Sequence, residues 1–214
     1  MRESGILMHI TSLPTPYGIG TMGKDAYAFV DFLVKAGQRC WQILPLTPTG
    51  YGDSPYQSLG ACAGNHYLID LDTLVDEGLL KKEEIQDISW GNNPKRVDFG
   101  AMYAHRMNVL RLAFQRFAPD KAYETFVEQN RSWLEDYALF MALKDTLGGK
   151  PWLDWPEALR LRKADALAEK RRELSEEIRL QFFAQYEFDK QWKALRSYAN
   201  AKGVRIIGDV PIYV

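Results

Sequence analysis

Two short apolar blocks, separated by an amphipathic stretch, open the chain. Gly5–Ile10 (GILMHI) has the length of a buried strand. A loop rich in Pro and Gly follows, from Thr11 to Gly23. Lys24–Ala36 then carries Ala26, Phe29, Val30 and Leu33 at the spacing of one helix face. Gly37 stands where a helix end wants a left-handed residue. Cys40–Leu46 (CWQILPL) is the second apolar block, and Pro45 near its end fits a strand about to leave a sheet. The pattern predicts strand–helix–strand, a parallel pair joined by a right-handed crossover.

Beyond Leu46 the pattern changes. Residues 47–59 combine turn formers, hydroxyls and two tyrosines; residues 65–71 read as a short extended run. Residues 72–98 read as loop with one acidic-basic helical turn, and Ala101–Phe117 as helix. Ser132 and Glu135 have capping-box spacing, which predicts a helix from there to about Leu147, ended by Gly148-Gly149. A polar helix or helix pair fills about 157–202, and Val204–Val214 reads as a strand with Asp209 at or near its end. Three buried-type strands result, with more than 150 residues between the second and the third. A βα unit needs only about 30 residues. The excess predicts a large, mainly helical insertion on one face of the sheet. A sheet whose third strand ends the chain leaves backbone groups unpaired, so a C-terminally truncated fragment is expected.

Composition narrows the classes. The chain has 214 residues, 46% hydrophobic and 26% charged, an ordinary globular balance rather than a disordered one. Its net charge of -1 provides no footprint for nucleic acid or an anionic membrane. No apolar run reaches the ~18 residues of a membrane span, and no leader-type block follows the first residues. Two cysteines, Cys40 and Cys62, without an export signal, point to a reducing cytoplasm. Aromatics reach 13%; most should fill cores, although exposed Tyr and Trp also make stacking platforms.

Several motifs carry possible chemistry. Gly18, Gly20 and Gly23 match G-x-G-x-x-G between a strand and a helix. Pro14 and Pro16 lengthen the turn, and no carboxylate ends the second strand, so a flexible turn is preferred to a dinucleotide site. His9, His66 and His105 have no ligand spacing, and a metal site is not expected. His9 could face a site or be a satisfied core histidine. Cys40 reads as a packed thiol, and Cys62 shows no sign of a nucleophile. The runs at Lys81–Glu84 and Glu169–Glu177 read as solvated helix faces. The richest candidate is Thr49–Ser58 (TGYGDSPYQS), where Tyr51 and Tyr56 offer flat faces and Asp53, Ser54, Gln57 and Ser58 offer polar groups. That set suits a pyranose ring, and it equally suits a well-turned loop with half-buried tyrosines. Asp209 at a parallel strand's C-terminal end either points into a site mouth or caps the next loop.

These residues resemble the N-terminal part of the 4-α-glucanotransferases of the amylomaltase (disproportionating enzyme) family, glycoside hydrolase family 77. The resemblance runs through His9–Pro14, Trp41–Leu46, Pro48–Ser58, Gly64–Asp70, Trp133–Lys144 and Ile206–Val214, in family order over essentially the whole chain. The TGYGDSPYQS run is highly specific, and the helical segments less so. The resemblance implies an α/β fold, an incomplete (β/α)8 TIM barrel comprising the first three strands, with a helical insertion between strands 2 and 3. The implied division is 1–46 as the first βαβ unit, 47–175 as substrate loop and insertion, and 176–214 as barrel helix and third strand.

The implied reaction transfers α-1,4-glucan segments between maltooligosaccharides with retention, through a carboxylate nucleophile and a carboxyl acid/base about 5–5.5 Å apart. By the family pattern those carboxylates lie on later strands, after position 214, so no catalytic residue is assigned here and the chain alone is expected to be inactive. Substrate binding is what carries over. Ser54 and Tyr56 match donor-side glucose subsites, Asp209 matches the first carboxylate region of the α-amylase clan, and Tyr51 resembles a tyrosine of a second, remote glucan patch. The family has Pro where this chain has His66, so His66 takes no role. No cofactor, metal or nucleotide sugar is implied. Expected partners are maltooligosaccharides and other α-1,4-glucans, without nucleic acid or membrane, in the cytoplasm. The alternatives are a glucan-binding fragment and an α-glucan hydrolase of the same clan.

Overall fold

The computed structural model describes residues 2–213, apart from the side chain of Tyr51. Two compact units divide the chain: residues 1–117 with 187–214, and residues 118–186.

The first unit is built on a parallel sheet in the order β1-β2-β3, with β1 at Gly5–Leu7, β2 at Cys40–Gln42 and β3 at Arg205–Ile207. The strand–helix–strand opening is present: helix α1 (Lys24–Lys35) connects β1 to β2, and Gly37 closes it at φ 69°. Each strand is shorter than its apolar block predicts. Met8 donates the last rung from β1 to Gln42, and the chain then turns through Ile10–Ser12. Ile43 donates to Ile207, and Pro45, two residues on, has no N–H to continue the ladder.

The strands are also not buried on both faces, as the apolar blocks predict. Strands β1 and β3 are exposed at their ends and half-buried at their centres. Pairing register explains the alternation, because side chains alternate between the faces of a sheet. The row Ile6–Trp41–Ile206 faces the helices, with Trp41 fully buried and its ring 5.1 Å from that of Phe29 on α1. The row Leu7–Gln42–Ile207 faces the other way and is exposed. The predicted strand Val204–Val214 is regular only over Arg205–Ile207, and Val214 lies outside the described residues.

Between β2 and β3 come helices α2 (Leu71–Asp76), α3 (Phe99–Arg116), α4 (Lys121–Thr146), α5 (Glu157–Arg160), α6 (Ala164–Glu173) and α7 (Ser175–Ala201). Two expectations need correction here. The run at 65–71 is not extended: it forms a 3-10 turn at His66–Leu68, and then Asp70 caps α2 by accepting from the Thr73 amide at 2.9 Å. Ser132 caps nothing. It is exposed inside α4, whose cap is Asp120, accepting from the Tyr123 amide at 2.8 Å. Inside a continuous helix, a Ser-x-x-Glu spacing is an ordinary pair of neighbours on one face.

The last helix, α7, belongs to the second unit up to Tyr186 and to the first from Glu187. In the first unit its C-terminal half packs on α1. The Tyr27 and Tyr198 rings meet edge-on at 4.9 Å, and Tyr198 donates to Asp31 at 2.8 Å. The second unit has its own core, where Leu139, Ala142 and Leu143 of α4 pack with Trp155, Leu159, Leu167 and Leu174. Among the described residues, no helix is long and apolar enough to cross a membrane.

Candidate functional site

The loop after β2 is a tight, internally bonded structure. Thr49 and Ser58 form an antiparallel bridge, and Gly50 donates to the Gln57 carbonyl at 2.8 Å. Between these ends the chain reverses through a 3-10 turn at Tyr51–Asp53, with Gly52 at φ 79° and Asp53 at φ 56°. Glycine takes a positive φ without strain, whereas a residue with a Cβ pays for it in crowding. Just after the turn, the Ser54 hydroxyl accepts from the Tyr56 amide at 3.3 Å and orients the tyrosine.

The far side of this loop is stitched to the segment that follows β3. The Tyr56 carbonyl accepts from Ile212 at 3.1 Å and Tyr213 at 3.0 Å, and the Ser58 amide donates to the Tyr213 carbonyl at 2.9 Å. Gln57 and Tyr213 form a parallel bridge. Two stretches more than 150 residues apart in sequence are thereby fixed side by side at the C-terminal ends of parallel strands.

That stitching brings two of the expected residues together. Asp209 stands two residues past the end of β3 and accepts from the Tyr56 hydroxyl at 2.7 Å. Its other oxygen accepts from the Val210 amide at 2.9 Å. The Tyr56 hydroxyl, and then the Val210 amide, hold the Asp209 carboxyl below the usual carboxylate range. Correspondingly, the Asp209 carboxylate raises Tyr56, which stays a protonated donor. Asp209 is exposed and Tyr56 and Ser54 are half-buried, so the polar ends of all three reach solvent while their positions are fixed. The side chain of Tyr51 lies outside the described residues; its backbone opens the 3-10 turn.

One residue at this loop was not anticipated. Tyr103, on α3, donates to Asp53 at 2.5 Å. The signal available in the sequence is weak: Tyr103 is an aromatic standing beside the buried stripe Met102, Arg106, Val109, Leu110 and Ala113 rather than in it.

The glycine motif serves packing. A Cβ on Gly20 would stand 1.8 Å from the Ile10 carbonyl oxygen, and one on Gly23 would stand 2.1 Å from Asp70 Oδ1. That carboxylate, bonded to Thr21 and Thr73, fills the approach to the N-terminus of α1. Burial lowers His9 to about 4, so it is neutral, and its Nδ1 has no partner. Cys40 is a buried thiol and Cys62 an exposed one. Among the described residues, no group of three His, Cys, Asp or Glu side chains could hold a metal ion.

The sequence profile of the glycoside hydrolase 77 family, described as 4-alpha-glucanotransferase, matches residues 8–214. The chain belongs to the 4-α-glucanotransferase family. It is 48% identical over 209 residues to a 4-alpha-glucanotransferase of Clostridium butyricum, covering 97% of this chain and 43% of the relative. It is 49% identical over 219 residues to one of Thermus thermophilus, covering 100% of this chain and again 43% of the relative. Its fold superposes on the amylomaltase of Streptococcus agalactiae, solved in complex with acarbose, with a TM-score of 0.96 and 49% identity, covering 100% of this chain and 44% of that one. The chain therefore spans less than half the length of the 4-α-glucanotransferases it matches.

Proposed function

We propose that this chain carries the donor-side glucan-binding part of a 4-α-glucanotransferase. The enzyme acts on maltooligosaccharides by a retaining double displacement, on an α/β barrel begun by β1–β3. The observation that supports this most is the Tyr56–Asp209 pair, at 2.7 Å, on a loop pinned across the C-terminal ends of parallel strands. In parallel α/β folds, that end of the strands is where ligands bind.

The chemistry of the three side chains fits one glucose unit. The Tyr56 ring is a flat apolar surface for the C–H face of a pyranose. Its hydroxyl, whose hydrogen is committed to Asp209, accepts from a sugar hydroxyl. Asp209, ionised, is an acceptor with lone pairs still free toward solvent, and it binds vicinal hydroxyls through charge-assisted hydrogen bonds. Ser54 fixes the loop and offers its hydroxyl at the same rim. The nucleophile and acid/base carboxyls of the family reaction are not among the residues of this chain. Those present bind and orient the donor, and positioning of this kind is a large share of what such a reaction requires.

The test is titration of the 214-residue chain with maltoheptaose, followed by calorimetry and by NMR. Millimolar or tighter binding is expected, weakened at least about tenfold by Tyr56→Ala or Asp209→Asn, the loss of about 1.4 kcal/mol or more that a charge-assisted hydrogen bond contributes. The same chain is expected not to disproportionate maltotriose. Binding that is absent, or indifferent to both substitutions, would sink the reading, as would maltotriose turnover by the chain alone for the assignment of the carboxyls.

A further inference from the structure

We infer that His9 is a further donor-side binding residue: it stands in one cross-strand row with Asp209, and its Nε2–H donates to a hydroxyl of the glucose unit that Tyr56 and Asp209 hold. The inference rests on the glucan-binding reading of that site and adds a side-chain donor to its acceptors.

The placement follows from register. Leu7, Gln42 and Ile207 are paired across the three strands. The ladder runs on past them, since Met8 donates to the Gln42 carbonyl at 2.9 Å and Ile43 to the Ile207 carbonyl at 3.0 Å. His9 is still extended, at φ -70° and ψ 143°, before the chain turns at Ile10–Ser12. Side chains two residues apart along a strand share a face. Two residues further along each strand stand His9, Leu44 and Asp209, which form the next row on the face turned away from the helices. Burial along β2 and just beyond it keeps the same alternation: Trp41 and Ile43 are buried, Gln42 is exposed and Leu44 half-buried. His9 therefore lines, from the β1 side, the strand-end mouth that Asp209 lines from the β3 side.

The ring is not a satisfied core histidine. Its Nδ1 is buried without a partner, while the residue as a whole is only half-buried. Burial holds the imidazole at about 4, so it is neutral and carries one N–H. A buried N–H without a partner is tolerated less well than a bare acceptor, so the proton belongs on Nε2 and Nδ1 is the unpaired acceptor. At the same mouth, Tyr56 and Asp209 both present acceptors, because the hydrogen of Tyr56 is committed to Asp209 at 2.7 Å. Sugar hydroxyls accept as well as donate, and a site of acceptors alone leaves their oxygens unpaired. An Nε2–H supplies that partner. Being uncharged, the ring does not draw Asp209 away from Tyr56.

The experiment pairs maltoheptaose calorimetry with 15N NMR of the histidine rings, both on the 214-residue chain. His9→Phe keeps a ring and removes both nitrogens, and its affinity should fall about fivefold, the loss of one neutral hydrogen bond. His9→Gln places an amide N–H near the position of Nε2 and should bind more tightly than His9→Phe. His9→Asn places one near Nδ1 and should be as weak as His9→Phe. In the parent, the His9 ring, assigned by its disappearance in His9→Phe, should show the Nε2–H tautomer. Its Nε2 signal should move with maltoheptaose and saturate with the calorimetric constant. Parent-like affinity in His9→Phe overturns the inference. So does an Nδ1–H tautomer, or an Nε2 signal that maltoheptaose leaves in place, whichever variants fold. Affinity in His9→Gln as low as in His9→Phe also overturns it, since the ring would then serve packing alone. If Asp209→Asn weakens binding and His9→Phe does not, the glucan reading stands and the inference falls; if the parent chain binds no maltoheptaose, both fall.

Discussion

The bond between Tyr56 and Asp209 shapes the chemistry of both partners, and it can be read by titration. Asp209 lies below the usual carboxylate range first because of the Tyr56 hydroxyl. In Tyr56→Phe its pKa should therefore rise toward the ordinary value, as followed by the 13C shift of its carboxyl carbon, with global stability nearly unchanged because the pair is open to solvent. A second residue-scale prediction concerns His66, which is buried, has no partner on either ring nitrogen, and lies at about 3 through burial and then the charge of Arg106. A folded-state value below the unfolded 6.5 means that the stabilisation is complete above 6.5 and is lost as pH falls toward 3. His9, at about 4, acts in the same direction. Unfolding near pH 5 should take up about two protons at these sites, and about one in His66→Leu, giving a shallower fall of urea midpoint between pH 6.5 and 4. Tyr56, Ser54 and Asp209 stood out in the sequence as candidates through loop composition, a strand-end carboxylate and the family resemblance, and the fold brings them together. The contact of Tyr103 with this loop was not legible, because it depends on α3 passing close to Asp53, a juxtaposition no local pattern encodes.

Besides their apolar packing, elements in this chain are joined through a few buried polar groups. The clearest is Gln191 of α7, whose Oε1 accepts from the Asp70 amide at 2.7 Å and whose Nε2 donates to the Asp70 carbonyl at 3.3 Å. Gln191 and Asp70 are both buried, so neither backbone group has water as a substitute. Gln191→Leu should cost about 3 kcal/mol by urea denaturation, the penalty for leaving two buried backbone groups unpaired. Lys193→Ala, two residues on, breaks a surface ion pair with Asp189 and should cost no more than about 0.5 kcal/mol. A smaller difference between the two variants would show that Asp70 finds other partners. The same contact explains where element boundaries were legible and where they were not. Helix α1 was placed almost to the residue, because Gly37 and the spacing of Ala26, Val30 and Leu33 are local. The start of α2 depends on Asp70, which reads from sequence as one more polar residue in an extended run and becomes a cap in the fold. Strand length was overestimated for the same reason, since a ladder ends where its partner's ladder ends.

On the scale of the whole chain, the sheet presents one face to its helices and leaves the other open. Leu7 and Ile207, in one paired row, are 57% and 46% exposed, and beyond β3 Val210, Ile212 and Tyr213 are more exposed still. At the other end of that face, the Glu3–Arg205 ion pair makes the surface polar and lies against the sulfur of the buried Cys40. An apolar row on an open sheet, with β1 and β3 as edge strands, is the arrangement that draws in another surface. In the proposed barrel, this is the face that would close around the interior, where alternating side chains fill the core. The 214-residue chain studied alone should therefore bind a hydrophobic dye and associate with rising concentration in sedimentation. The double variant Leu7→Lys with Ile207→Lys should stay monomeric to higher concentration with its far-UV spectrum intact, because neither side chain is buried in the first unit. If the parent chain stays monomeric and dye-free at high concentration, the face is not an open barrel wall, and the alternation of Ile6, Trp41 and Ile206 against Leu7, Gln42 and Ile207 must be satisfied within the chain itself.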